Sequence, residues 1–266
     1  MPLAYYSRAA DADFWTEHWG THSVEELLAV ARRSPLTRLI EAHLPSRGLV
    51  LEAGCGLGQY VLLLRERGRA ALGADWSLDA LRAGARAGAP VSVMDLRALA
   101  VATGAVAAYL SLGVVEHDPD GPDAILREAA RVVPPGGRLL LSVPYWNGVR
   151  RIGAPYLRRQ AGLTRAAGGQ FYQYAFTRRE LGRRLAAHGF AVRAFHPYDP
   201  ARILRKALRG LRGGARVTSS AVPASGRTPA PPADRRAWRR AARALLYSGP
   251  ALRLFGHMLL AVAVRR

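Results

Sequence analysis

Three carboxylates, three glycines and one histidine carry the chemistry that can be read from this 266-residue chain. Glu52 lies in the short apolar run Gly48–Ala53, and Gly54, Gly56 and Gly58 follow it in Gly54-Cys55-Gly56-Leu57-Gly58. The run has the pattern of a buried strand, and Gln59 to Arg67 that of a helix stopped by Gly68. A strand, a glycine-rich turn and a helix bring bare backbone close to a ligand and aim a helix N-terminus at it. The glycines run G-x-G-x-G, whereas a dinucleotide fingerprint is G-x-G-x-x-G, so the spacing disfavours a nicotinamide cofactor. Asp75 closes the next apolar run, where a carboxylate can accept from both hydroxyls of a ribose. Asp95 follows the third run and is placed to accept from an exocyclic adenine amine. Ser111-Leu112-Gly113-Val114-Val115-Glu116-His117 closes the fourth run, and His117 is the side chain there that titrates near neutrality. A local structural or helix-capping role for His117 stays open beside a catalytic one.

Holding these groups together requires a regular scaffold, and the pattern supplies one. Apolar runs at Gly48–Ala53, Ala70–Ala74, Pro90–Met94, Val106–Leu112 and Arg138–Val143 alternate with helical stretches at Gln59–Arg67, Leu78–Ala87 and Pro122–Val133. That alternation predicts a doubly wound, parallel α/β sheet. Ser34-Pro35 reads as an N-cap and first-turn proline for a helix to about Leu44. Thr177-Arg178-Arg179-Glu180 is a capping box for a helix ending at Gly189, with a strand at Phe190–Phe195 after it. Met258 to Val264 reads as a final buried strand. Residues 1–33 hold Tyr5, Tyr6, Phe14, Trp15 and Trp19 in a mostly helical pattern.

In this order the motifs resemble those of the class I S-adenosylmethionine-dependent methyltransferases, particularly the small-molecule branch. The resemblance is close over residues 48–145 and looser over Phe171–Tyr198 and the last strand. It implies a Rossmann-like, mostly parallel seven-stranded sheet with an antiparallel last strand and helices on both faces. It implies S-adenosyl-L-methionine as cofactor, with Gly54, Gly56 and Gly58 forming the turn beneath its methionine part. By the same resemblance Glu52 holds that loop and the amino group, Asp75 the ribose, and Trp76, Asp95 and Leu96 the adenine. Leu112 and Gly113 line the cofactor beside the transferred methyl. The family commonly has an acid early in the fourth strand, where Val106-Ala107-Ala108 has none. Among the aromatics of Phe171–Phe176, Tyr172 and Tyr174 are candidates for substrate contact, with packing of the cap as the competing reading.

Charge divides the chain unequally. Residues 1–149 hold 14 Arg and 16 Asp or Glu, and residues 150–266 hold 25 Lys or Arg and 3 acids, so the net +20 lies entirely in the second part. Such a surface favours an anionic partner. Two stretches concentrate it: 201–212 and 234–247 read as amphipathic helices with arginines on one face, joined by a Gly-, Pro- and Ser-rich linker at 213–233 that reads as disordered. An anionic membrane surface is one expected partner for them. Packing as a lid is the other, and an RNA substrate ranks below because no RNA-binding module is recognisable. The expected organisation is therefore a helical, aromatic-rich lid at 1–47, a cofactor-binding core at 48–146 and a cap with the sixth strand at 147–198. A basic insertion follows at 199–250, and the last strand at 251–266.

One cysteine, Cys55, rules out a disulfide framework. The histidines are scattered without metal-site spacing, so no metal is expected. The N-terminal stretch has early acids and no apolar signal core, and the longest apolar run, Leu254 to Val264, is too short to span a bilayer. The expected setting is cytoplasmic, with the inner membrane face as a place of contact. The expected activity is methyl transfer to a small acceptor that is lipid-like or membrane-associated. RNA methylation and a cofactor-fold protein that binds without turnover are the alternatives.

Overall fold

A computed structural model describes residues 2–202 and 242–266. Its centre is a seven-stranded sheet built from β2 (Val50–Ala53), β3 (Ala71–Asp75), β4 (Val91–Val93), β5 (Ala108–Leu112), β6 (Arg138–Pro144), β8 (Phe190–Tyr198) and β9 (Met258–Arg265). The spatial order is β4-β3-β2-β5-β6-β9-β8, and β9 alone runs antiparallel to its neighbours. Helices α4 (Gln59–Glu66), α5 (Leu78–Arg86), α6 (Asp123–Val132) and α9 (Arg178–Ala187) connect the strands. Two apolar layers form around the sheet, one including Leu51, Tyr109, Leu139 and Leu141 and the other Val50, Leu110, Leu140 and Leu260. Consecutive residues of one strand thus enter different layers, as the period-2 geometry of a strand dictates. The anticipated fold class is the observed one.

Chain order reverses between β2 and β5. From β2 the chain winds outward through β3 to β4, then returns to place β5 on the other side of β2. At such a switch point the two neighbouring loops diverge and leave a crevice at the carboxyl ends of the strands. Because β9 is antiparallel, its first residue, Met258, and His257 just before it reach the same edge at which β6 and β8 end: Pro144 and Tyr198 both pair with Met258.

A second, two-stranded sheet stands over this edge and departs from the helical reading of residues 1–33. β1 (Leu3–Ser7) pairs antiparallel with β7 (Gln170–Ala175). Leu3 is buried with Ala175 and Trp146, so burial against a distant strand overrides the local helical pattern. The rest of the segment is helical, as α1 (Ala12–Gly20), α2 (Val24–Arg33) and α3 (Pro35–His43). Caps fall where the side chains predict them: Ser34 accepts from Leu36 N–H at 3.2 Å, and Thr177 and Glu180 form the reciprocal box. Two helices, α7 (Gly148–Ile152) and α8 (Ala154–Ala166), bridge β6 to β7. Asn147 fixes their start, accepting from Arg150 N–H and donating to the Gly256 carbonyl at 2.7 Å.

Of the two amphipathic stretches, 203–212 and 234–241 lie outside the described residues, as does the 213–233 linker. Residues 242–246 are helical, and a further short helix, Gly249–Phe255, precedes β9 with Pro250 in its first turn. No described helix is long and apolar enough to cross a membrane.

Candidate active site

The crevice at the switch point opens into a cleft of about 1370 Å³. One wall is the loop between β2 and α4. Gly54, Gly56 and Gly58 all have positive φ, at 78°, 53° and 73°. A Cβ on Gly54 would lie 2.3 Å from Val114 Cγ2, and one on Gly56 would lie 2.4 Å from the Trp19 indole. Only glycine fits either position, and the loop main chain is left open toward the cleft. Cys55 is buried beneath the loop and burial pushes its thiol up, which makes it a packing residue and not a nucleophile.

Carboxylates frame this wall. Asp75 is buried and spans two turns, its Oδ2 accepting from Gly56 N–H at 2.8 Å and its Oδ1 from Ser77 N–H at 2.9 Å. Burial pushes Asp75 up and these main-chain donors act against it. Glu52 is 2% exposed, and its Oε2 has no hydrogen-bond partner. Burial, and then the charge of Asp75, raises Glu52 well above the carboxylate range. Trp76, at the rim, leaves 53% of its surface in solvent. Asp95 and Leu96 line the cleft as well, but the Asp95 carboxylate is already gripped by Arg97 through Nε and Nη2, each at 3.0 Å. That pairing holds Asp95 below the usual range.

The facing wall is Leu112-Gly113-Val114 at the end of β5, then a 3-10 turn, Val115–His117. His117 Nδ1 lies 2.8 Å from the Tyr172 carbonyl oxygen. A carbonyl can only accept, so Nδ1 carries the proton and Nε2 keeps its lone pair. Burial lowers the His117 pKa, and the nearby His18 lowers it further. Next to it Glu116 is 1% exposed with Oε2 unpartnered, and burial pushes it up to about 8.

Aromatic side chains from the cap close over both walls. Trp15 stacks with Trp19 and meets His117 edge-on, with centroids 5.0 Å apart; Phe14 meets Tyr172 edge-on at 5.7 Å. The register of β1 with β7 passes from Tyr5↔Gln173 to Tyr6↔Phe171, which leaves Tyr172 opposite nothing. That bulge breaks the alternation of the strand, and both Tyr172 and Gln173 line the cleft. Tyr174 does not join them. Its hydroxyl donates to the Pro119 carbonyl at 2.9 Å, which fits the competing reading of cap packing.

A family profile described as a methyltransferase domain matches residues 22–194 of the chain. The chain belongs to that methyltransferase family. No curated protein matches it in sequence. Among solved structures, a geranyl diphosphate methyltransferase in complex with SAM is 20% identical with a TM-score of 0.57, over 99% of this chain and 98% of that one. The geranyl diphosphate C-methyltransferase of Streptomyces coelicolor, bound to Mg²⁺, geranyl diphosphate and S-adenosyl-L-homocysteine, is 20% identical with a TM-score of 0.54 over 86% and 76%. A SAM-dependent methyltransferase of Archaeoglobus fulgidus is 17% identical with a TM-score of 0.54 over 96% and 100%. At these identities the likeness is one of fold.

The methyltransferase cleft gathers Glu52, Gly54, Asp75, Trp76, Asp95, Leu96, Leu112, Gly113, His117 and Tyr172 in its lining. Gly56 and Gly58 stand behind it, one bonded to Asp75 and the other capping α4. Sequence reasoning placed Trp19 only among the aromatics of the lid and did not single out Arg150 or Tyr198; all three line the cleft. Their only signal was residue type, since the contacts that bring them in are made across long stretches of chain.

Proposed function

We propose that this methyltransferase moves a methyl group from S-adenosyl-L-methionine to a small, largely apolar acceptor bound beneath the aromatic cap. When bound, S-adenosylmethionine supplies an electrophilic methyl carbon on a sulfonium, a leaving group that is already activated. The lining residues fit such a group. The buried, unpartnered Oε2 of Glu52 suits an ammonium, and Asp75 keeps spare lone pairs for ribose hydroxyls after its two main-chain contacts. Trp76 offers a free indole face to a purine, and Leu96 an apolar contact beside it. Asp95 can serve an exocyclic amine only with the lone pairs that Arg97 leaves. Leu112 and Gly113 border the space in which the methyl would lie.

The acceptor is aligned by the wall of Phe14, Trp15 and Tyr172, which also excludes water. Because the leaving group needs no help, alignment is the main task. His117 Nε2 then takes the proton of an acceptor hydroxyl or amine. The arrangement of His117 carries this reading: neutral, tethered through Nδ1, and enclosed by Trp15 and Tyr172.

A lipid-like acceptor drawn from the inner membrane face is supported by α7 and α8 at the cleft mouth. Ile152 and Tyr156 are 80% and 65% exposed there, among Arg151, Arg158 and Arg159. An exposed aliphatic side chain and an amphipathic tyrosine between arginines suit a lipid surface. The solved geranyl diphosphate methyltransferases, with an isoprenoid substrate, are relatives in fold.

The test incubates the protein with methyl-labelled S-adenosylmethionine and an extract of its host, then separates organic-solvent, nucleic-acid, protein and aqueous fractions. Label above a Glu52→Gln blank in the organic or small-molecule fraction is expected. Label in nucleic acid would replace this reading with the RNA alternative, and label nowhere would favour binding without turnover.

A further inference from the structure

Arg150 is an enclosed cation with no counter-ion among the described residues. It lines the cleft beside the first residues of β9, and its ring neighbour is Tyr5, 6.0 Å below the guanidinium. Nη1 donates to the Tyr145 carbonyl at 2.6 Å and the His257 carbonyl at 3.3 Å, and Nη2 meets His257 Nδ1 at 3.0 Å. A guanidinium has five N–H donors. Three are taken by neutral groups, which leaves Nε–H and one Nη2–H. Those two lie on adjacent nitrogens, the fork that grips a carboxylate or phosphate edge. Burial lowers the Arg150 pKa; the Tyr5 phenol acts against this, and the like charge of Arg202 adds to it. Among the described residues no carboxylate forms an ion pair with Arg150.

Arg97, another arginine of the cleft lining, has an acid partner, as do Arg131 and Arg184 outside it. Arg97 is paired with Asp95, Arg131 with Glu128, and Arg184 with Asp123. Leaving an enclosed charge unpaired costs several kcal/mol, more than a packing residue would require. The acids of the cleft, Glu52, Asp75, Asp95, Glu116 and Asp118, belong to β2, β3 and the segments after β4 and β5, the side at which the cofactor is proposed. Arg150 stands at the ends of β6 and β9 instead.

We infer that the acceptor carries an oxyanion, a carboxylate or a phosphate, which is held by the Arg150 guanidinium with Arg202 adding to the field. This inference rests on the methyltransferase reading of the same cleft. Arg150 is bonded at the end of β6 and beside β9, one and two strands from β5, so the methyl position beside Gly113 and the Arg150 fork are separated by roughly 5–10 Å at ordinary strand spacing. The acceptor is thus an apolar body about that long, with its nucleophilic atom at one end near His117 and its anion at the other. Arg150 is a specificity-determining residue for the charged end, while the aromatic cap takes the apolar body.

The experiment uses the full chain and four defined probes of one length: octanoate, octyl phosphate, octanol and octylamine. Each is titrated calorimetrically into wild-type, Arg150→Met and Arg150→Lys protein, with and without S-adenosylhomocysteine. At least one anion is expected to bind wild type tenfold or more tighter than octanol. Arg150→Met should lose at least tenfold of that affinity and Arg150→Lys less, with octanol and S-adenosylhomocysteine binding unchanged. The better of octanoate and octyl phosphate identifies the oxyanion. Equal affinities for the anions and the alcohol, including no binding of either, would overturn the inference. So would undiminished anion binding by an Arg150→Met protein that still takes up S-adenosylhomocysteine. If Arg150→Met fails to fold, the wild-type ranking decides alone. Anion binding without any uptake of S-adenosylhomocysteine would count against the cofactor reading and leave the anion site standing.

Discussion

His117 Nδ1 is tied to the main-chain carbonyl of Tyr172 at 2.8 Å, across 55 residues of sequence. One hydrogen bond thereby joins the turn after β5 to the bulge of the cap, and sets both the tautomer of the imidazole and the seat of the cap. Replacing His117 by Gln should lower kcat by about 10²–10⁴ for a hydroxyl or amine acceptor, the usual contribution of a positioned base. S-adenosylhomocysteine affinity should change little. Burial lowers the His117 pKa from its ordinary 6.5, so the acid limb of the wild-type rate profile should have its midpoint below that value. Initial rates from pH 5 to 9 check both; a midpoint at or above 6.5, or a silent His117→Gln, would remove His117 as the base.

Glu116 should make the protein less stable as the solution becomes alkaline. Its folded pKa is pushed up to about 8 from an ordinary 4.5, so the folded state holds a proton that the unfolded chain releases. The stability this provides is complete below pH 4.5, declines as pH rises toward 8, and then levels off. A Glu116→Gln variant cannot release the proton. Its melting temperature relative to wild type should therefore climb between those pH values and stay constant above them. Parallel melting curves across that range would show that Glu116 is not buried in the way described.

Alanine at Gly54 meets two separate obstacles. A left-handed φ of 78° costs a residue with a Cβ about 1–2 kcal/mol, and the added carbon would lie 2.3 Å from Val114 Cγ2. Gly54→Ala should lower Tm by at least several degrees and weaken S-adenosylhomocysteine binding tenfold or more. Adding Val114→Ala should recover the part of the Tm loss due to the clash and not the part due to φ. Full recovery in the double variant would mean the backbone conformation is not strained for alanine.

Ile152 and Leu163, 80% and 54% exposed, are the sites at which to test membrane contact. Burying each in a lipid surface is worth about 1.5–3 kcal/mol. Replacing both by Glu should reduce co-sedimentation with phosphatidylglycerol-containing vesicles at least tenfold. Equal sedimentation of wild type with neutral and anionic vesicles, or no sedimentation with either, would leave the lipid-surface reading without support.

Short-range physics made much of this protein legible in its sequence. The apolar alternation of β2 to β6, the caps at Ser34 and Thr177, and the glycine spacing at 54–58 each depend on residues a few positions apart. The strand that follows a turn, and the acid at its end, are therefore visible in one dimension. Tertiary structure alone decided the rest, because the deciding contacts join distant segments. β1 is a strand only because β7 lies beside it, and Tyr172 parts company with Tyr174 only because the β1–β7 register slips by one residue. The His117 tautomer depends on a carbonyl from the cap, and the Arg150 fork on which of its N–H groups the main chain after β6 and before β9 engages. Residue type announces that such groups exist; packing determines which of them stay unpaired and face the cleft.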